Sequence, residues 1–389
     1  MQTSRVAIVG GGIAGLCTAL SCAHHGISST VYEKSPQLEE VGAGLQLSPN
    51  ATAILKELGV LDSISRNWLE PQTVALASGT TLKTLASIPV ESHARSRWGA
   101  PYAVLHRATL QQALLNAVLT NPLIRLVLGQ RVESPDAQIL RDEPSGERPP
   151  LLIAADGVWS RLRNYVSGGP DVVFTGNIAW RFTMPCSAAP DFIDCSRVTA
   201  YLGSSAHMVV YPLKEMDSIN IVAIAAGVDP GEGWAARSDE SQQSLFAKAF
   251  SSWNPEIRAL LDARTATATF WPLFEAGVGR WHNERDLLLI GDAAHAMMPF
   301  SAQGAAMAIE DAYELGNLVA RLPVPEVLVR FEAIRQERIR KVRHRGVLNK
   351  FAYHAQGPVR LGRDMVLSLR SGDSFARDLD WLYGYRASA

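Results

Sequence analysis

Six residues near the N-terminus, Gly10-Gly11-Gly12-Ile13-Ala14-Gly15, constrain this chain more than any other feature. They follow an apolar run, Arg5–Val9, that reads as a buried strand, and open a stretch, Ile13–His25, that reads as a helix. A second strand, Ser29–Glu33, completes a βαβ unit. The spacing is G-x-G-x-x-G, and each glycine has a physical task. Gly10 permits a tight turn, Gly12 lets backbone approach a phosphate with no Cβ in the way, and Gly15 lets the helix pack on the strand. The helix start at Ile13 and Ala14 offers unpaired N–H groups and a partial positive charge to an anion. Glu33 stands about 20 residues on, where a ribose-binding acid is expected. Its carboxylate suits a ribose 2′-OH and would repel a 2′-phosphate, so the site favours FAD or NAD over NADP.

The same run imitates a secretory signal, with Arg5, the apolar Val6–Leu20 and a small-residue Ser21-Cys22-Ala23 end. Three consecutive glycines interrupt it where a hydrophobic helix needs side chains, and the pattern continues into a second strand, so the signal reading is rejected. The run is also too short to span a bilayer. Lys+Arg 37 against Asp+Glu 38 leaves a net charge of -1, so nothing draws the chain to nucleic acid or an anionic membrane. Cys17, Cys22, Cys186 and Cys195 lack metal-type spacing; no metal is expected, and Cys17 and Cys22 read as packing thiols. A reduced, cytoplasmic setting fits.

At 389 residues the chain has room for two domains. Thr109–Leu119 reads as a helix, and the polar Pro135–Pro150, with Pro144-Ser145-Gly146, as a surface hairpin. From Phe174 to Ala226 the texture is β, with runs at Ile178–Met184, Val198–Leu202, His207–Tyr211 and Ile219–Ala225. Leu287–Ile290 reads as a short buried strand and Gly304–Arg321 as a long helix stopped near Pro323. The expected fold is α/β: a Rossmann-like dinucleotide domain of the GR2 type with a parallel sheet, an inserted β-sheet substrate domain and C-terminal helices. The expected division is 1–70, 101–172 and 280–325 for the first, 71–100 and 173–279 for the second, and 326–389 for the helical end.

Two further segments separate FAD from NAD. Leu151–Arg163 is a strand running into an Asp156-Gly157 turn and a basic segment. In Leu287–His295 a strand ends on Gly291-Asp292, where open α/β sheets place ligands and where Asp292 can accept from cofactor hydroxyls. The loop Met298–Gly304 then enters a helix whose first-turn N–H groups would stabilise negative charge on a reduced flavin.

These three motifs resemble the fingerprints of the single-component FAD-dependent aromatic hydroxylases, the para-hydroxybenzoate hydroxylase superfamily, over nearly the whole chain. The segments Gly42–Asn50, Pro299–Asp311 and Asp380–Tyr385 are similar to the salicylate hydroxylase and 6-hydroxynicotinate monooxygenase branch. The resemblance implies FAD held by Gly10, Gly12, Ile13, Ala14, Gly15, Glu33, Lys34, Arg107, Asp156, Asp292, Gln303 and Gly304. It also implies no separate nicotinamide domain, which accords with a single glycine fingerprint. The implied chemistry is reduction of FAD by NADH or NADPH, addition of O2 to give a hydroperoxide, and oxygen transfer to an electron-rich aromatic carbon. The partners are thus a small aromatic substrate, O2 and NAD(P)H, with no nucleic acid or integral membrane, in a monomer or homodimer.

The protein must orient the ring, exclude water and help ionise a phenol. His207 and Tyr211 share a strand face at i and i+4, and their spacing resembles the substrate-site pair of the 6-hydroxynicotinate branch. Packing residues remain the alternative. Pro299 is the third catalytic candidate. Gln46 replaces the catalytic histidine of the 6-hydroxynicotinate enzymes, as in salicylate-type sequences, which favours a phenol over a pyridine. Arg181 could meet a substrate carboxylate or sit in a sheet salt bridge. His295 reads as structural, and the basic run Arg335–Arg345 as a solvated helix face. A same-fold epoxidase or reductase on a bulkier apolar molecule is the alternative function, and a non-catalytic flavin-binding module ranks last.

Overall fold

The computed structural model describes residues 4–38, 44–141, 146–229, 231, 240–264 and 268–387. Gly42 and Ala43 of the branch-like segment, and Pro144 and Ser145 of the expected hairpin turn, lie outside the described residues.

A five-stranded sheet runs in the order Leu287–Leu289, Leu152–Ala154, Arg5–Val9, Ser28–Tyr32 and Ile124–Val127, and every pairing is parallel. Such strands are covered on both faces, which is why Val6, Ala7 and Ile8 are at most 1% exposed rather than alternating. The helix Ile13–His24 lies against Gly304–Val319. Their close approach depends on Gly316, where a Cβ would fall 2.8 Å from that of Ser21. Cys17 and Cys22 are fully buried in this layer. The first three strands are neighbours pointing the same way, so their C-terminal ends bring Gly10, Asp156 and Asp292 to one edge.

The second sheet has seven strands, ordered Thr269–Ala276, Val172–Pro185, Ser218–Ala226, Ala206–Leu213, Val198–Gly203, Thr73–Ser78 and Thr84–Pro89. Only the pairing of 198–203 with 73–78 is parallel. The strand carrying His207 runs through Pro212 to Leu213 rather than stopping before the proline. One face of this sheet packs Trp180, Tyr201 and Met208 against Phe246, Phe250 and Trp253 of the 240–264 helical region. Alternation along each strand sends the opposite set, including Arg181, His207 and Tyr211, toward the dinucleotide sheet. A short pair, Gly44–Leu47 with Ala103–His106, bridges the two sheets.

Two expectations are corrected. The described part of 135–150 contains only a short 3-10 turn, Gln138–Leu140, and no hairpin strand. The basic run is also not a solvated face. It lies on the 30-residue helix Val324–Tyr353, where Arg335 is 0% and Arg338 6% exposed. Arg335 donates from Nε to Asp311 Oδ1 at 2.7 Å and from Nη1 to Glu310 Oε2 at 2.9 Å. Arg338 holds both oxygens of Glu310 at 3.0 and 2.8 Å. The outer members follow the expected pattern: Arg340 and Lys341 are exposed and share Glu337.

Asp311 Oδ2 also accepts from the Gly291 N–H at 2.8 Å and meets His295 Nε2 at 2.5 Å, giving His295 its structural place. Burial alone would raise the Asp311 carboxyl, but His295 and Arg335 hold it down to about 2. Because the folded value lies below an unfolded value of about 3.9, this stabilisation is complete above that value and is lost as pH falls toward about 2. Arg335→Leu should cost about 1.5–3 kcal/mol, the scale of charge-assisted hydrogen bonds lost from Asp311 and Glu310 while His295 and Arg338 still hold them, read as a lowered denaturant midpoint at pH 7. A variant as stable as wild type would show that the network contributes nothing net.

Candidate active site

The glycine turn has the shape of a phosphate cradle. Gly10 adopts φ +109°, and a Cβ there would lie 2.3 Å from the Ala155 carbonyl oxygen. A Cβ on Gly15 would lie 1.9 Å from the Gly10 oxygen. Gly12 is different: nothing lies within 4 Å of its would-be Cβ, because it faces open cavity. That space, about 410 Å³, is lined by Gly10, Gly12, Glu33, Lys34, Asp156 and Arg161 among others. Glu33 accepts from the Gly11 N–H at 2.7 Å and the Ser35 N–H at 2.8 Å, which fixes its carboxylate beside the turn. Asp156 Oδ2 accepts from the N–H groups of Arg161 and Leu162, whereas its buried Oδ1 has no partner. Desolvation raises the Asp156 carboxyl. An open glycine, a helix N-terminus and an orphaned carboxylate oxygen around one cavity fit the pyrophosphate and sugar of a dinucleotide.

Past Gly12 the space continues into a second cavity of about 300 Å³ between the two sheets. Gly12, Ile13, Ala14, Arg107, Asp292 and Gly304 line its dinucleotide side. The seven-stranded-sheet side carries Arg181, His207, Val209, Tyr211, Val222 and Ile224. Register explains that grouping: His207 pairs with Ile224, Val209 with Val222, and Val222 with Arg181, all on one face. The Gly304–Val319 helix points its N-terminus here, and Gly304 and Ala305 form part of the wall. Gly15 and Gln303 line none of these spaces. Gly15 acts through packing. The Gln303 side chain is 1% exposed and bonded to Ser48 and Asn50, so it braces the loop rather than facing the cavity.

A third cavity, about 280 Å³, shares Gln46, His207, Val209, Pro299 and Ala302 with the second. Its far wall comes from Tyr353 and Phe375, which the sequence did not single out, together with Arg345 of the basic run and Tyr383 of the Asp380–Tyr385 segment. The Asp380–Tyr385 segment acquires a physical role here. Arg338 bonds the carbonyls of Trp381 and Leu382, and Asp380 pairs with Arg97 and Trp98 Nε1. Tyr383 thereby closes the cavity against Trp98 and Tyr102, with ring centroids at 5.0 and 6.0 Å. Tyr102 donates to Gln46 Oε1 at 2.6 Å.

His207 is 1% exposed. Its Nδ1 lies 3.0 Å from His354 Nε2, and its ring packs on Phe300 and Tyr353 at 5.0 and 5.4 Å. Desolvation and the neighbouring His354 push its pKa well below the usual histidine value, so the ring is neutral at pH 7. Burial raises the Tyr211 phenol while Arg181 opposes the rise. Burial lowers Arg181, and the charged or polar groups acting on it are Tyr211 and Arg107, not a carboxylate; the sheet salt bridge is not formed among the described residues.

Gly12→Val tests the cradle. With nothing near its Cβ the apoprotein should keep its wild-type melting temperature, while flavin content after reconstitution falls to near zero. Asp292→Ala should weaken FAD binding by about 1–3 kcal/mol, the scale of one charge-assisted hydrogen bond. Unchanged affinity in apoprotein titrations would remove Asp292 from the cofactor site.

Comparison with known proteins agrees with this geometry. Residues 3–355 match the FAD binding domain family. The chain is 33% identical over 394 residues to a 3-amino-4-hydroxybenzoate 2-monooxygenase of Streptomyces platensis, covering 99% of this chain and 96% of the relative. It is 32% identical to 3-hydroxybenzoate 6-hydroxylase 1 of Aquipseudomonas alcaligenes, covering 98% of each. A salicylate hydroxylase substrate complex shares the fold, with TM-score 0.76, 21% identity and 99% and 96% coverage. The three converging strand ends, the open glycine turn and a match of this extent place the chain in the FAD binding domain family, among its FAD-dependent monooxygenases.

Proposed function

We propose that this protein hydroxylates a phenolic acid, using NADH or NADPH as reductant and O2 as oxidant. Bound FAD supplies the redox chemistry and the activation of oxygen. The chain's own residues bind and orient the substrate, exclude water and move a proton. The observation that carries the reading is the pairing of a neutral buried imidazole, His207, with a half-buried cation lacking a carboxylate partner, Arg181, on one sheet face opposite Pro299 and the Gly304 helix start. A substrate carboxylate would complete Arg181, and a phenolic hydroxyl would meet His207 or Tyr211. Both curated relatives described above bear names ending in a hydroxybenzoate reaction, which supports a phenolic acid. Gln46, tied to Tyr102, offers an amide rather than a titrating side chain at the shared wall. No described helix is long and apolar enough to cross a membrane; the cytoplasm is the proposed compartment, with the protein a monomer or homodimer.

The decisive experiment is a screen of hydroxybenzoates for accelerated nicotinamide oxidation coupled to an ¹⁸O-labelled hydroxylated product. Acceleration without oxygen incorporation for every phenolic acid would overturn the assignment. Arg181→Met should raise KM for carboxylated substrates by about 1.5–3 kcal/mol, roughly 10- to 150-fold, leaving FAD affinity unchanged. His207→Ala should slow hydroxylation by about 100-fold at neutral pH. That deficit should shrink as pH approaches about 10, where a phenol ionises unaided. A parallel pH profile at near-normal rate would make His207 a packing residue.

A further inference from the structure

His207 as a base raises a problem of proton storage. The ring is enclosed by Phe300 and Tyr353, and an imidazolium held there would be a desolvated charge with no carboxylate near it. A group in that position can accept a proton only if it hands one on at the same time. Its Nδ1 is committed to His354 Nε2 at 3.0 Å, and its Nε2 is the nitrogen left for the cavity that it lines. His354 follows the last residue of the long helix, is half-buried rather than enclosed, and sits beside the turn where Gln356 bonds Ser205 on the surface.

We propose that His354 is the proton outlet of the substrate cavity, a positioning and relay residue acting through His207. This rests on the reading of His207 as the base. The resting pair is His207 protonated on Nδ1, donating to an unprotonated His354 Nε2, with His354 protonated on Nδ1. The phenol O–H bond breaks toward His207 Nε2. The His207 Nδ1 proton crosses to His354 Nε2, and the His354 Nδ1 proton leaves to water. Both rings end as the other neutral tautomer, one proton has reached solvent, and the phenolate stays in the cavity. Neither ring is required to carry charge at rest or after transfer, which suits an apolar box.

The titratable and charged groups facing the pair are consistent with this. From the long helix come Tyr353, whose phenol burial raises, and Lys350, whose ammonium, after burial, lowers His354 to about 4. From the sheet comes His207 itself, and the 299–301 turn contributes only Phe300. Both imidazoles are therefore neutral in the neutral range, and protonation of His354 in acid blocks the outlet by removing the acceptor.

The test uses holoenzyme and a nitro-substituted hydroxybenzoate whose phenolate absorbs in the visible. Stopped-flow mixing follows phenolate appearance at a pH where the free ligand's carboxylate is ionised but its phenol is still protonated, with a pH-indicator dye reporting proton release. His354→Gln keeps a hydrogen-bonding side chain toward His207 Nδ1 but cannot pass a proton. It should bind ligand with wild-type affinity yet ionise it about tenfold or more slowly, and added imidazole should restore the rate. His354→Ala, which leaves an imidazole-sized space, should show the same loss and a rescue by added imidazole. Wild-type ionisation rates in His354→Gln, with no response to imidazole, would overturn the outlet. His207→Asn separates the two readings: loss of ionisation there with none in His354→Gln defeats the outlet alone. Ionisation retained in His207→Asn defeats the base assignment on which it rests.

Discussion

Everything that shapes the cavities hangs on four buried charges, Glu310 and Asp311 against Arg335 and Arg338. Three of these side chains also bond something belonging to the site, and Arg335 holds the two acids between them. Asp311 takes the N–H of Gly291, so it fixes the strand end that carries Asp292. Glu310 accepts from Asn50, which together with Ser48 holds Gln303 in the loop before the Gly304 helix. Arg338 bonds the Trp381 and Leu382 carbonyls and stacks on Tyr385 at 4.1 Å, which pins the tail that closes the substrate cavity. Buried ion pairs seldom add net stability over apolar packing. Their value here is geometric, because guanidinium and carboxylate forks accept only narrow angles. One network therefore sets the relative position of the Gly-Asp turn, the flavin-side helix start and the C-terminal wall.

The two sheets contribute in different ways. The parallel sheet converges its strand ends on one edge, which suffices for a cofactor with fixed chemistry. The seven-stranded sheet presents two distinct faces, since alternation separates cavity-facing His207, Val209 and Tyr211 from core-facing Met208 and Val210. Substitutions on the cavity face can therefore change the cavity wall without removing a side chain from the core on the other side.

The cofactor half was legible in the sequence because its signals are local. Gly10, Gly12 and Gly15 encode a turn, an open approach and a helix contact within six residues, and each is visible as a steric requirement. The substrate half was legible only where strand periodicity placed His207 and Tyr211 on one face. What stayed hidden involves partners far apart in the chain. A run of arginines around a helix looks solvated unless the acids 24 to 28 residues upstream are known to be buried beside it. His354 carries no local signature at all, since its meaning comes from a contact across 147 residues. The polar segment around 135–150 misled because turn residues mark a change of direction, not the pairing of flanking strands.

The distribution of charge completes the physical picture. In the buried network away from the cavity two arginines meet two acids, and the Asp311 carboxyl is held down to about 2. At the cavity the balance is tilted. Arg181 faces it without a carboxylate, Arg107 lines the opposite wall beside Asp292, and the Gly304 helix directs its N-terminus there. Fixed positive potential in a dry space costs folding free energy, and a bound anion recovers that cost. A phenolate, a carboxylate and a reduced flavin ring are all anionic, so the potential favours the species that the chemistry needs. A carboxylate base would cancel that potential, whereas neutral imidazoles leave it intact. The roles proposed for His207 and His354, neutral imidazoles rather than an aspartate or glutamate, are compatible with that electrostatic balance.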